Sequence, residues 1–75
     1  MEATDFEKNI VKVIRQIAEE KALSGNKLSA LSGVSQAQIS RLYSEKRAIS
    51  VEQVYKLSTA LGYSPAQIIE KALEL

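Results

Sequence analysis

The chain of 75 residues contains neither cysteine nor histidine. Without cysteine no disulfide staples the fold, and no thiolate serves as nucleophile or metal ligand. Without histidine the commonest general base and the commonest metal ligand are both missing. Tryptophan is absent as well, proline occurs once and glycine three times. No apolar run approaches the roughly 18–20 residues a membrane-spanning helix needs. The N-terminal Met1-Glu2-Ala3-Thr4-Asp5 lacks the basic-then-apolar order of a secretory signal. No glycine-rich loop is available to cradle a phosphate, and Glu19 and Glu20, adjacent on a helix, do not converge on one site. These absences argue against an enzyme, a metal site, a cofactor and a membrane protein.

What is present is helical. Hydrophobic residues make up 45% of the chain, enough for one domain over residues 1–75 with one modest core. Phe6, Ile10, Val13, Ile14 and Ile17 recur at three- and four-residue spacing, which predicts an amphipathic helix over about residues 5–22. Thr4 and Glu7 form a capping box at its start. A second helix spans about residues 25–32, with Ser24 as N-cap and Gly33 as stop, because glycine adopts the left-handed conformation without a Cβ penalty. Ser35 with Gln38 opens a third helix, and Ser50 with Gln53 a fourth that carries Val51, Val54, Leu57, Ser58 and Leu61 and stops at Gly62. Ser64-Pro65-Ala66-Gln67 opens a fifth, with proline at the first helical position, where its missing N–H costs nothing. No strand pattern, repeat or linker competes. The expected fold class is all-α, a compact bundle of five helices.

Residues 28–42 are the most informative. Two short helices meet at a tight glycine turn; Leu28, Leu31, Val34, Ile39 and Leu42 are expected to point inward, while small polar and basic residues point outward. Ser29 is small where the two helices would cross. This is the layout of a helix-turn-helix, at about residues 25–43, whose second helix enters the major groove of DNA. Charge is distributed accordingly. The net charge is only +1, yet residues 25–50 carry Lys27, Arg41, Lys46 and Arg47 against Glu45 alone.

On the third helix Gln36, Ala37, Ser40 and Arg41 share a face, because spacings of three and four residues coincide. They are the candidate base contacts. Gln36 suits adenine, Arg41 guanine, and Ala37 a thymine methyl; the alternative is that they are ordinary solvated positions. Gln38 reads as a capping residue. Lys46 and Arg47, just after this helix, are candidate phosphate clamps, joined by Ser24, Asn26 and Ser35 where free helix N–H groups favour an anion.

The chain resembles the lambda-repressor and Cro family of helix-turn-helix regulators over about residues 7–73. The resemblance rests on Ser24, Leu28, Ser29, Gly33-Val34-Ser35, Ile39-Ser40-Arg41-Leu42, Lys46-Arg47, Ser50-Val51 and Leu57 through Gly62-Tyr63-Ser64. It implies a bundle of four or five helices that binds an operator as a homodimer, as in phage repressors, restriction–modification controllers and antitoxins. There are departures. Gly25 stands where the family commonly has a glutamine bracing the first recognition-helix residue, so Gln36 is freer. Glu45 stands where a glycine is common, and Ser29 replaces the usual alanine.

The fifth helix carries more apolar surface than one face needs. Ile68, Ala72 and Leu75 lie on one stripe, Ile69 and Leu73 on its neighbour. One stripe is expected to seal the core and the other to form a two-fold contact, so all five are candidate dimer contacts; the alternative is that both stripes are core. The leading expectation is a transcriptional regulator of the repressor kind that binds a palindromic site in double-stranded DNA as a homodimer, in the cytoplasm at the nucleoid. With no separate effector domain, no small-molecule ligand is expected. The competing expectation is a protein-interaction module, such as an antitoxin or anti-regulator, on the same scaffold.

Overall fold

Each helix begins where a side chain replaces a missing backbone partner. In the computed structural model, which describes residues 4–45 and 47–75, five helices run in the order α1 (Asp5–Glu20), α2 (Gly25–Ser32), α3 (Gln36–Tyr43), α4 (Val51–Ala60) and α5 (Pro65–Leu73). Their N-caps are Thr4, Ser24, Ser35, Ser50 and Ser64, and each hydroxyl accepts the N–H three residues on. All four expected capping boxes form, at Thr4–Glu7, Ser35–Gln38, Ser50–Gln53 and Ser64–Gln67. Caps of this kind contribute about 1 kcal/mol each, so helix starts are specified locally and more firmly than helix ends.

The ends show why. Gly33 and Gly62 take φ of +79° and +83°, as the turns require. The end of α1 needs the same conformation but has no glycine: Ala22 supplies it at φ +56°. The Leu23 N–H then reaches back to the Ala18 carbonyl at 2.8 Å, as the Tyr63 N–H does to Ser58 at 2.9 Å after Gly62. Both closures are the hydrogen-bonding pattern of a Schellman motif. Consequently α1 stops at Glu20, two residues before the expected boundary.

The core is built from every helix. α1 packs mainly along α5, and α2 against α3 and α4. Ile14, Leu28, Ile39, Leu57, Leu61 and Ile68 lie at its centre, essentially without solvent contact. Burying such a side chain stabilises the fold by about 1.5–3 kcal/mol. Ser58 is the one buried polar residue among those described, and its hydroxyl donates to the Val54 carbonyl one turn back, so burial leaves no orphan.

Three expected core positions lie elsewhere. Leu31 is 60% exposed on α2, Val51 is 88% exposed at the first position of α4, and Phe6 is 40% exposed at the start of α1. Phe6 and Val51 sit in the first turns of their helices, on the rim of the bundle. Of the eight residues of α2 only Leu28 is buried, so Leu31, three positions on, lies outside the contact with α3 and α4.

Candidate nucleic-acid interface

The recognition helix is aimed by its buried side. Ile39 and Leu42 are each 2% exposed, and Val34 in the preceding turn is 3% exposed. The turn is closed by two bonds: the Gly33 N–H donates to the Ser29 carbonyl at 2.9 Å, and the Val34 N–H to the Ser32 hydroxyl at 3.1 Å. At the far end Arg15 of α1 lies 5.1 Å from the centre of the Tyr43 ring while its Nε donates to Glu19 at 3.2 Å. Cation and ring tie the last turn of α3 to α1. Tyr43 is half-buried, and that burial pushes its hydroxyl above the ordinary tyrosine pKa. This tie has no signature in the sequence, since its partners lie 28 positions apart in the chain.

With that side fixed, Gln36, Ala37, Ser40 and Arg41 all stand exposed. Gln38 is occupied as a cap: its Oε1 accepts the Ser35 N–H at 3.4 Å, and its own N–H donates to the Ser35 hydroxyl at 3.2 Å. Arg41 does not stand alone. It lines a polar recess of about 240 Å³ with Gln38, Leu42, Arg47, Ala48, Ser50 and Gln53. A base-contact candidate and a phosphate-contact candidate thus converge on one spot at the start of α4. Ala48 and Gln53 were not among the expected site residues; Gln53 carried a capping signal only.

The start of α2 meets the start of α3. A Cβ placed on Gly25 would lie 3.9 Å from Cγ of Gln36, so Gly25 and Gln36 are neighbours, as the resemblance implied. Ser24 and Asn26 flank this point and are exposed, as is Ser35. The Ser24 hydroxyl accepts the Lys27 N–H at 3.3 Å, and its proton is left to donate outward. Arg47 is exposed, and Lys46 lies outside the described residues.

The electrostatics favour this face. The two ion pairs among the described residues, Arg15–Glu19 and Lys56–Glu52, lie within α1 and α4 and neutralise cations there. Neither involves Lys27, Arg41 or Arg47. Among the described residues no cluster of acidic side chains is placed to hold a metal ion, and no helix is long and apolar enough to cross a membrane.

The α5 candidates divide. Ile68 and Ala72 are 0% and 2% exposed, and both belong to the core. They are therefore unavailable to a partner, because the α5 stripe they form is the one packed on the bundle. Ile69 is half-buried, while Leu73 and Leu75 are exposed; Leu75 lies beyond the helix end.

Five helices, a glycine-turned pair at residues 25–43 and an exposed polar face on its second member define a helix-turn-helix protein. A family model described as helix-turn-helix matches residues 14–68, and the chain belongs to that lambda-repressor/Cro-like family. It is a DNA-binding regulator of transcription by class. A solved structure similar to it is the restriction-modification controller protein C.AhdI from Aeromonas hydrophila, with a TM-score of 0.75 and 28% identity over 85% of this chain and 96% of that one. No curated protein matches the chain.

Proposed function

We propose that this protein is a transcriptional repressor that reads an inverted repeat in double-stranded DNA as a homodimer. The observation that carries the reading is the two-sided α3: Ile39 and Leu42 lock one side into the core, and Gln36, Ala37, Ser40 and Arg41 occupy the free side. Amide, guanidinium and methyl groups on a rigid helix are what base edges in the major groove require. Arg47 and Lys46, with Ser24, Asn26 and Ser35 at helix starts, supply the phosphate contacts that set register. The similarity to a restriction-modification controller supports a regulatory role.

Size argues for two copies. The bundle measures 26 × 24 × 20 Å between Cα atoms. Half-sites read from one side of a duplex lie about 34–36 Å apart, beyond the reach of one copy. Selection of bound duplexes from a random library, read by sequencing, tests the proposal. An enriched inverted repeat supports it. Weak, salt-sensitive binding without enrichment refutes it and favours a protein-interaction module on this scaffold.

A further inference from the structure

The start of α3 is held by the closed glycine turn, through the Gly33 and Val34 N–H groups, and its middle by Ile39 and Leu42, the two side chains it buries. Ile39 and Leu42 stand one turn apart on a single stripe. Two such anchors set where the helix axis runs; a contact off the stripe is what opposes rolling about it. At about 100° per residue, Gln38 and Leu42 fall on one flank of Ile39, and Gln36, Ser40 and Tyr43 on the other. The first flank faces the start of α4, where Gln38 and Leu42 line the recess with Ser50 and Gln53. The second flank meets α1 through Tyr43, with the Arg15 guanidinium 5.1 Å from the centre of its ring.

Both partners of that contact are held in place. Tyr43 is half-buried. The Arg15 Nε donates to Glu19 Oε1 at 3.2 Å, one turn further along α1, and this bond keeps the guanidinium over the ring. Arginine suits the position because its planar cation lies against an aromatic face better than a lysine ammonium does. Its charge is shared with Glu19, which makes Arg15 a poor phosphate contact and leaves the ring as its partner.

We propose, on the operator-binding reading, that Arg15 and Tyr43 are positioning residues for base recognition: the cation on α1, lying over the ring, sets the roll of α3 and with it the angle at which Gln36, Ser40 and Arg41 meet the base edges. Neither side chain is given a base or a phosphate of its own. A reading face has to be held within about 0.5 Å and 10–20° of its working geometry. Tyr43 shares its stripe with Gln36 and Ser40 and its turn with Arg41, so a roll at Tyr43 is passed along the whole reading face.

Arg15→Ala and Tyr43→Leu break the contact, whereas Tyr43→Phe keeps the ring that the cation needs. Fluorescence anisotropy titrations against the selected duplex and its single-base variants, at several salt concentrations, read the consequence. Arg15→Ala is expected to lower the preference for the selected duplex by about 2- to 5-fold, the worth of an exposed cation–ring contact, with the salt slope unchanged. Tyr43→Leu is expected to lower it at least as far, and Tyr43→Phe to keep it. Adding Arg15→Ala to Tyr43→Leu is expected to cost nothing more, because the contact is already gone. In the free chain, the NMR amide signals of Ser40 and of Gln36, two turns from Tyr43, are expected to move in Arg15→Ala and to keep their places in Tyr43→Phe.

Arg15 is exposed, so Arg15→Ala is decisive even where Tyr43→Leu disturbs folding. An unchanged preference in Arg15→Ala overturns the proposal. So does an equal loss on every duplex with a lower salt slope, which makes Arg15 a phosphate contact. Losses that add in the double variant overturn it as well, as does a Tyr43→Phe chain that behaves like Tyr43→Leu. The operator reading fails separately, when the duplex selection enriches nothing. The free-chain signals then decide alone: a Gln36 amide that moves in Arg15→Ala keeps the roll contact, and one that does not move removes it.

Discussion

Arg41 and Arg47 line the same recess, yet the proposed interface gives them different work, and two alanine substitutions separate the roles. Arg41 is in the last turn of α3 on the face shared with Gln36, Ala37 and Ser40; Arg47 follows in the segment leading to α4. A guanidinium paired bidentately with guanine is worth about 1–3 kcal/mol of discrimination. Arg41→Ala is therefore expected to lower affinity for the selected duplex by about 5- to 150-fold and to flatten preference at one base position. A phosphate contact carries no sequence information but releases counterions. Arg47→Ala is thus expected to weaken all duplexes alike and to reduce the slope of log K against log salt by about 0.9 for each phosphate that is no longer neutralised. Both side chains are exposed and neither joins a described ion pair, so the fold is not at stake. Fluorescence anisotropy titrations against the selected duplex and each of its single-base variants, at several salt concentrations, read both quantities at once. If Arg41→Ala weakens every sequence equally and lowers the salt slope as Arg47→Ala does, the recess clamps phosphate with two guanidinium groups and the base assignment is wrong. If Arg41→Ala leaves affinity and preference unchanged, Arg41 is outside the interface.

The other expectations concern the frame that aims α3. Ile39→Ala, at 2% exposure, is expected to cost about 2–5 kcal/mol and Ile39→Val about 0.5–1.5 kcal/mol, measured by urea denaturation; equal effects would mean that α3 is not held by this side chain. Glu45 holds φ of +62°, a conformation that suits glycine, so Glu45→Gly relieves strain of about 1 kcal/mol, less the greater chain entropy of glycine, and removes an acid from the basic segment; a small rise in Tm and tighter DNA binding are expected, and a fall in both would contradict this. Gly25→Ala meets nothing closer than Gln36 Cγ at 3.9 Å and is expected to raise stability by up to about 1 kcal/mol in the same urea assay while narrowing the conformations of Gln36. The Glu7 carboxylate is held below the ordinary glutamate range first by the Thr4 N–H and then by the Thr4 hydroxyl. Its folded pKa is the lower one, so its contribution to the start of α1 is complete above the ordinary range and is lost as pH falls through the lowered value; the amide signal of Thr4 followed by NMR over an acid titration is expected to move with that transition, and an unmoved signal would show that the cap does not depend on charge.

What was legible in the sequence was local. A serine or threonine followed three residues on by glutamate or glutamine states its own hydrogen bonds, so the four boxed helix starts could be read directly, as could the glycine turn at Gly33. What depended on other parts of the chain was hidden in varying degree. Ala22 ends α1 in a conformation its residue type does not announce, and the boundary moved accordingly. Periodicity placed Leu31, Val51 and Phe6 with the core because it sees one helix at a time; whether an apolar face meets a neighbour is decided by how the helices cross. The same limit left open which of the two α5 stripes faces inward: one seals the bundle through Ile68 and Ala72, and the other reaches the surface through Ile69 and Leu73. The exposed face of α3 escaped this limit for a physical reason. Its exposed residues are defined by the anchors between them, Ile39 and Leu42, so fixing the inward side of an eight-residue helix fixes the outward side as well. An apolar groove has no such internal reference: the one walled by Phe6, Val51 and Tyr55 is assembled from α1, α4 and α5, distant in sequence, and only the folded arrangement sets it beside the segment that carries Arg47.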